Sequence, residues 1–291
     1  MNRKHWNITD FLNQQLKDWD LARLNYENLK NATIRQFQFS DCLVEIQFNP
    51  ERIRSTVASQ TIKKTESDCF LCEQNRPSQQ KWLPLNPEFD VLCNPYPVFS
   101  QHLTIASHTH IPQTIQNSLD SLLYAAKSLP EFVVFYNGAH CGASTPEHLH
   151  FQAGIRNEFP LYKDYEFLKN TKSKKETISE NTSRYWIQDD IRRFYSLESS
   201  SATELISTFQ TRNNENVNLL CWYNYSQNNW VLCVFERKKH RPDRFYASGR
   251  EQLLISPASV EMAGKIITAR EEDFHKITQQ DIIDIFEEIL N

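Results

Sequence analysis

The sequence predicts an α+β protein built on antiparallel β-sheet with helices along one side, and three observations lead to that expectation. Short runs with strand periodicity, or with continuous β-branched and aromatic character, recur at 33–39, 43–48, 89–93, 132–136, 217–223 and 230–236. Two pairs of these runs are joined by short polar turns, around Ser40-Asp41-Cys42 and through residues 224–229, as antiparallel neighbours are. Between the strands, apolar residues at helical spacing mark helices at 8–29, 114–129, 202–211 and 279–290.

The 291 residues are enough for one large domain or two small ones with a sizeable core. Lys plus Arg total 32 against 36 Asp plus Glu, a net charge of −4 that argues against a nucleic-acid groove but not against a small anionic ligand held by a few local cations. No apolar run approaches a membrane span, and Met1-Asn2-Arg3-Lys4-His5 leads into no signal-type segment. Seven scattered cysteines, an odd count in a chain this long, read as reduced thiols of a cytoplasmic protein rather than as a disulfide framework.

Taken in order, residues 8–29 read as one amphipathic helix, with Phe11, Leu12, Leu16, Trp19, Leu21, Leu24 and Leu29 forming a packing or homodimer face. The hairpin at 33–48 follows. Arg52 and Arg54 stand on alternate positions beside Ser55 and Thr56, a pattern that suits a bidentate phosphate clamp and equally suits two surface arginines. Cys69-Phe70-Leu71-Cys72 is half a zinc site in form. A redox pair would follow a strand and open a helix, whereas these flanks read as loop; buried thiols are the other alternative. A zinc ion would need two more ligands, for which His110 and His148 are candidates, with His108 competing for the place of His110. Strands at 89–93 and 102–105 lead to this His-bearing loop, and the helix at 114–129 turns Ile115, Leu119, Leu122, Leu123 and Ala126 inward.

Residues 135–154 hold three of the five glycines, so backbone permissiveness is concentrated in one stretch. There Asn137-Gly138 precedes a loop with Gly142, Ala143, Ser144 and Pro146, and His148-Leu149-His150-Phe151-Gln152 then alternates as a strand does. Alternation places His148, His150 and Gln152 on one face and Leu149 and Phe151 on the other. A loop offering amides and a hydroxyl, followed by an imidazole, suits phosphate chemistry.

Beyond Gly154 the pattern weakens. Residues 170–184 read as a solvated, mobile insertion and 185–188 as a strand; the hairpin at 217–236 is followed by Arg237-Lys238-Lys239-His240-Arg241. That run is either a solvated charge cluster or a holder for a second substrate's phosphate. Residues 253–255, a turn at Ser256-Pro257, a short helix near 260–263 and a strand at 265–268 precede the last helix.

The 137–152 string resembles the signature of the transferase branch of the histidine-triad (HIT) superfamily. That branch includes galactose-1-phosphate uridylyltransferase, diadenosine tetraphosphate phosphorylase and GDP-L-galactose phosphorylase. The resemblance is strongest over residues 49–154. It implies two fused HIT-like halves, 1–160 and a degenerate 161–291, and a nucleotidyltransferase or phosphorylase acting on a nucleoside diphosphate sugar or dinucleoside polyphosphate, with phosphate or a sugar phosphate as acceptor. It further implies that His150 becomes nucleotidylated, that Gln152 (where hydrolytic members have a third histidine) and Ser144 hold phosphate oxygens, and that Asn94 and Asn137 bind substrate. Arg52 and Arg54 gain a substrate-binding role by the same match, His102 a structural one, and Cys69, Cys72, His110 and His148 become a structural zinc site. The competing expectations are a hydrolase, in which water attacks the adduct, and a non-catalytic zinc-containing nucleotide-binding protein.

Overall fold

A computed structural model of the chain describes residues 7–50, 66–210, 212 and 214–291. It opens on two helices, α1 (Ile8–Asp18) and α2 (Asp20–Lys30), where the spacing led us to expect one. The break is at Trp19, whose backbone is extended at φ −131 and ψ 96, and Asn7 caps α1 by accepting from the Asp10 amide at 3.1 Å. The kink allows Ile8 and Leu12 of one helix and Ala22 and Tyr26 of the other to reach the same core, while Leu21 and Leu24 are left 42% and 51% exposed. The expected continuous apolar face is thus divided.

Strands β1 (Thr33–Gln38) and β2 (Leu43–Phe48) form the expected antiparallel hairpin. Then come β3 (Trp82–Pro84), β4 (Phe89–Cys93), β5 (His102–Ser107), α3 (Leu119–Ser128), β6 (Phe132–Asn137) and β7 (His150–Ile155). The chain continues through α4 (Pro160–Thr171), β8 (Ser173–Thr177), β9 (Thr182–Gln188), β10 (Arg193–Ser199), α5 (Ala202–Gln210), β11 (Val217–Asn224) and β12 (Asn229–Glu236). Helix α6 (Ser259–Met262), β13 (Lys265–Thr268), α7 (Glu271–Lys276) and α8 (Gln279–Ile289) complete the described elements used below.

Ten strands form one sheet in the order β3-β4-β5-β7-β6-β11-β12-β10-β9-β8. Read from either edge inward, each half runs first, second, third, fifth, fourth strand, with a helix between the third and fourth: α3 in one half, α5 in the other. The halves are topological copies, and they meet where β6 and β11 pair antiparallel, Asn137 opposite Asn218. The repeat expected from the HIT resemblance is therefore present as one continuous sheet.

Both faces of that sheet are covered, not one. Helices α1, α2, α3 and α5 pack on the first face, over Val91, Leu103, Val134, Phe151, Leu219 and Leu232. The second face is closed by α4, α7, α8 and a small sheet of order β1-β2-β13, in which β13 runs parallel to β2. The segment expected to be a solvated insertion is instead the end of α4 and the edge strand β8, paired with β9. Its Lys174, Lys175 and Glu176 are exposed, and charges on an outermost strand blunt edge-to-edge association. No helix among the described residues is long and apolar enough to cross a membrane.

Candidate active site and metal centre

Cys69 and Cys72 lie on a tight turn closed by the Cys72 amide donating to the Cys69 carbonyl at 3.2 Å. Asn75 Nδ2 also donates to the Cys69 carbonyl, and Arg76 Nε donates to that of Leu71 at 2.9 Å while its Nη1 pairs with buried Asp90 at 3.0 Å. The turn brings both thiols against His110 and His148: Cys69 Sγ is 3.3 Å from His148 Nδ1, and Cys72 Sγ is 3.3 Å from His110 Nδ1 and 3.5 Å from His148 Nδ1. All four ligand atoms lie within 4.8 Å of one another. Tetrahedral ligation with the usual zinc–sulfur and zinc–nitrogen bond lengths puts S and N roughly 3.6 Å apart, close to these separations. His148 Nε2 donates to the Ser107 carbonyl at 2.9 Å, which leaves the Nδ1 lone pair turned to the cluster. This Cys2His2 group is compatible with a metal such as zinc. His108 does not compete, because its Nε2 faces Asp90 at 3.0 Å.

His148 precedes β7 rather than opening it, since the strand begins at His150. The chain turns between the two histidines: His148 faces the cysteines while His150 and Gln152 lie on the second face of the sheet, opposite Leu149 and Phe151 in the first core. His150 is 4% exposed, and its Nδ1 donates to the His148 carbonyl at 2.8 Å, so its Nε2 carries the lone pair. Burial pushes this imidazole down to about 4, which keeps it neutral.

A chain of hydrogen bonds also orients Gln152. The Val98 amide donates to His102 Nδ1 at 3.2 Å, so His102 Nε2 carries the proton and donates to Gln152 Oε1 at 3.0 Å. Asn94 Nδ2 reaches the same oxygen at 3.4 Å and Thr104 Oγ1 at 3.1 Å. With its oxygen held from behind, Gln152 presents its amide N–H groups to the site. Ser144 is exposed on the adjoining loop. That loop needs glycine at Gly142, where φ is +95 and an added Cβ would meet Ala258 Cβ at 2.6 Å. The structure thus brings His150, Gln152 and Asn94 together at one sheet end, beside Asn137; Arg52 and Arg54 lie outside the described residues.

Gln113 is a site residue that the sequence reading passed over. The β6–β7 ladder stops at Phe135 opposite Gln152, and beyond it Gln113 fills the gap. Its Nε2 donates to the carbonyls of Asn137 (3.0 Å) and His150 (2.9 Å), and its Oε1 accepts from the His150 amide at 2.9 Å. Nothing in composition distinguishes this glutamine; only its position beside the ladder, in the segment that leads to α3, would have pointed to it. The basic run is likewise not a solvated cluster throughout, for Arg237 and Arg241 are 3% and 1% exposed.

Residues 11–155 match a family model described as a domain of unknown function, DUF4922. No curated protein matches the sequence. Among solved structures, yeast Ap4A phosphorylase Apa2 in complex with Ap4A aligns with a TM-score of 0.58 at 16% identity, covering 94% of this chain and 97% of that one. The same enzyme in complex with AMP aligns with a TM-score of 0.56 at 15% identity, over 95% and 96%. The fold over nearly the whole chain is that of the Ap4A phosphorylase, two modules of like topology joined in one sheet.

Proposed function

We propose that this protein is a nucleotidyltransferase or phosphorylase acting on a dinucleoside polyphosphate or nucleoside diphosphate sugar through a nucleotidyl-His150 intermediate. The observation that carries the reading is the buried His150 with Nδ1 donated to the His148 carbonyl and Nε2 left as a free base on the same face as Gln152. Its Nε2 lone pair attacks the α-phosphorus; the N–P bond forms as the bond to the bridging oxygen breaks, and that oxygen leaves with the electron pair as the terminal phosphate of the departing nucleotide or sugar phosphate. An oxygen of inorganic phosphate or a sugar phosphate then attacks phosphorus, and the electron pair returns to Nε2. The Gln152 amide, Asn137, the Ser144 hydroxyl and loop amides donate to the non-bridging oxygens as charge builds on them. Asn94 bears on the nucleoside side, and Arg52 and Arg54 are assigned to the remaining phosphates. The fold shared with a phosphorylase solved with Ap4A and AMP supports nucleotide donors.

Zinc held by Cys69, Cys72, His110 and His148 would be a closed structural site, clamping the loop that delivers the His148 carbonyl to His150. Buried thiols in all seven cysteine positions suit a reducing, cytoplasmic setting.

The test is mass analysis of the intact protein after incubation with Ap4A or a nucleoside diphosphate sugar alone. One nucleoside monophosphate should add to the wild type and be removed by inorganic phosphate or a sugar phosphate. No adduct with any such donor, or an equal adduct on His150→Gly, would refute the mechanism.

A further inference from the structure

Asn137 enters the site from β6, and groups of the second half decide which way its carboxamide points. Asn218 of β11 lies opposite it in the sheet and on the same face. Asn218 Nδ2 donates to Asn137 Oδ1 at 3.0 Å and to the Cys141 carbonyl at 2.8 Å. The backbone amide of Ser259, at the start of α6, donates to the same Oδ1 at 2.8 Å. Both acceptor positions of that oxygen are therefore taken from the β11 side, so Asn137 Nδ2 is turned the other way, toward β7 and His150. It donates to no described residue.

What fixes Asn218 is Arg237. Asn218 Oδ1 accepts from Arg237 Nη1, and Arg237 also donates to the carbonyls of Pro257 (3.0 Å), Lys239 (3.1 Å) and His240 (2.8 Å). A guanidinium has no acceptor atom, so it meets only the oxygen end of a carboxamide. The direction is then passed on: Arg237 selects the oxygen of Asn218, whose amide selects the oxygen of Asn137, whose amide faces the site. Asn218 and Ser259 are fully buried and Arg237 nearly so. Arg237 makes no ion pair among the described residues, and burial pushes its pKa down to about 10, with Cys141 and the Glu261 carboxylate acting against that shift. Burying a cation is costly, and an apolar side chain would fill the space with a smaller penalty; the guanidinium supplies a direction that an apolar group does not.

We propose that Arg237 and Asn218 are positioning residues that hold the donor end of the Asn137 carboxamide toward the phosphate bound at His150. The proposal rests on the reading of Asn137 as a substrate ligand.

The test is Asn218→Asp in the 291-residue chain as purified. Aspartate keeps its contact with Arg237 but sets an oxygen against both Asn137 Oδ1 and the Cys141 carbonyl; turning the Asn137 carboxamide over relieves the first contact at the expense of the bond from the Ser259 amide, and offers the phosphate an acceptor. Melting should fall but remain cooperative, since the Cys141 carbonyl is left facing an oxygen. Adduct formation should slow by about 10²-fold, the usual effect of losing one oxyanion donor, mainly in kcat with little change in donor KM. In an Asn137→Ala background the same substitution should cost nothing further, since it acts through a group already removed. Arg237→Lys, also a donor without an acceptor, should retain most activity, whereas Arg237→Gln should not.

A second readout does not depend on turnover. The Asn137 side-chain amide protons should exchange rapidly in wild type and become protected in Asn218→Asp, by nuclear magnetic resonance of the labelled protein. Wild-type rates in Asn218→Asp, an equal loss in the Asn137→Ala background, or unchanged amide exchange would each overturn the proposal. A wild type that forms no adduct would instead sink the proposed function, and amide exchange would then decide the positioning by itself.

Discussion

His150 and Gln152 stand two residues apart on one strand, yet different parts of the molecule orient them. The His148 carbonyl fixes the proton on His150 Nδ1, and His102, itself fixed by the Val98 amide, holds Gln152 Oε1. His102 is therefore more than a buried filler, because it decides which way the Gln152 carboxamide points. Gln152→Ala should slow nucleotidyl transfer by about 10²-fold, the cost of one oxyanion donor, with little change in melting temperature, since the side chain is half-buried at the site and outside both main cores. Stopped-flow quench of the adduct step measures it, and an unaltered rate would remove Gln152 from the phosphate. Residue types alone marked Cys69-x-x-Cys72 and the alternating His148, His150 and Gln152, while the choice of His110 over His108, and the roles expected of His150 and Gln152, came from the family resemblance. Their partners were not legible where the partner is a backbone carbonyl, as at His148 and Ser107, because such groups exist at every position.

At the scale of elements, strands with apolar cores were readable because burial on both faces demands continuous β-branched and aromatic residues. Strand β8 was not, since an edge strand with charged side chains carries the same composition as a loop. The single helix expected at 8–29 failed because periodicity runs on unbroken through Trp19, whereas packing two segments on a twisted sheet required a bend there. The opening of β7 away from β6 is the element on which the site depends, and Gln113 holds it. Gln113→Leu would leave the His150 amide and the carbonyls of His150 and Asn137 buried without partners, each costing roughly 1–3 kcal/mol. Denaturant unfolding should register a loss on the order of 3 kcal/mol, and adduct formation should fall with it as His150 loses its placement; a variant as stable as wild type would mean the gap closes by direct strand pairing. The metal turn allows a separate measurement. Purified protein should carry about one zinc per chain, and Cys69→Ser should lose both metal and stability, because closed sites contribute folding free energy. Metal-free protein that melts like the wild type would dismiss the centre.

Across the whole molecule, the two halves share a topology but not a chemistry. On the face and strand that correspond to His150 and Gln152, β12 presents Val231, Cys233 and Phe235, all buried in the second core. The second half repeats the scaffold there without an imidazole at the positions that correspond to His150 and Gln152. What it supplies is structural completion. Strand β6 would expose Val134, Phe135 and Tyr136 along an open edge without β11, and β2 would lose β13, which pairs with it from residues 265–268. Each half also closes the other's core: Val133 and Phe135 pack in the same cluster as Leu220, Phe235 and Ile266. Residues 1–160 expressed alone should therefore remain unfolded or aggregate, an exposed apolar edge strand being a template for association. Co-expression with residues 161–291 should restore a soluble one-to-one complex that forms the adduct, because strand pairing across β6–β11 and β2–β13, rather than the peptide link, joins the two halves. Size-exclusion chromatography and intact mass after donor treatment read the two halves of that expectation. A monomeric, cooperatively melting 1–160 fragment would show that the halves are independent domains joined side by side, and that the continuous sheet is not what holds His150 in place.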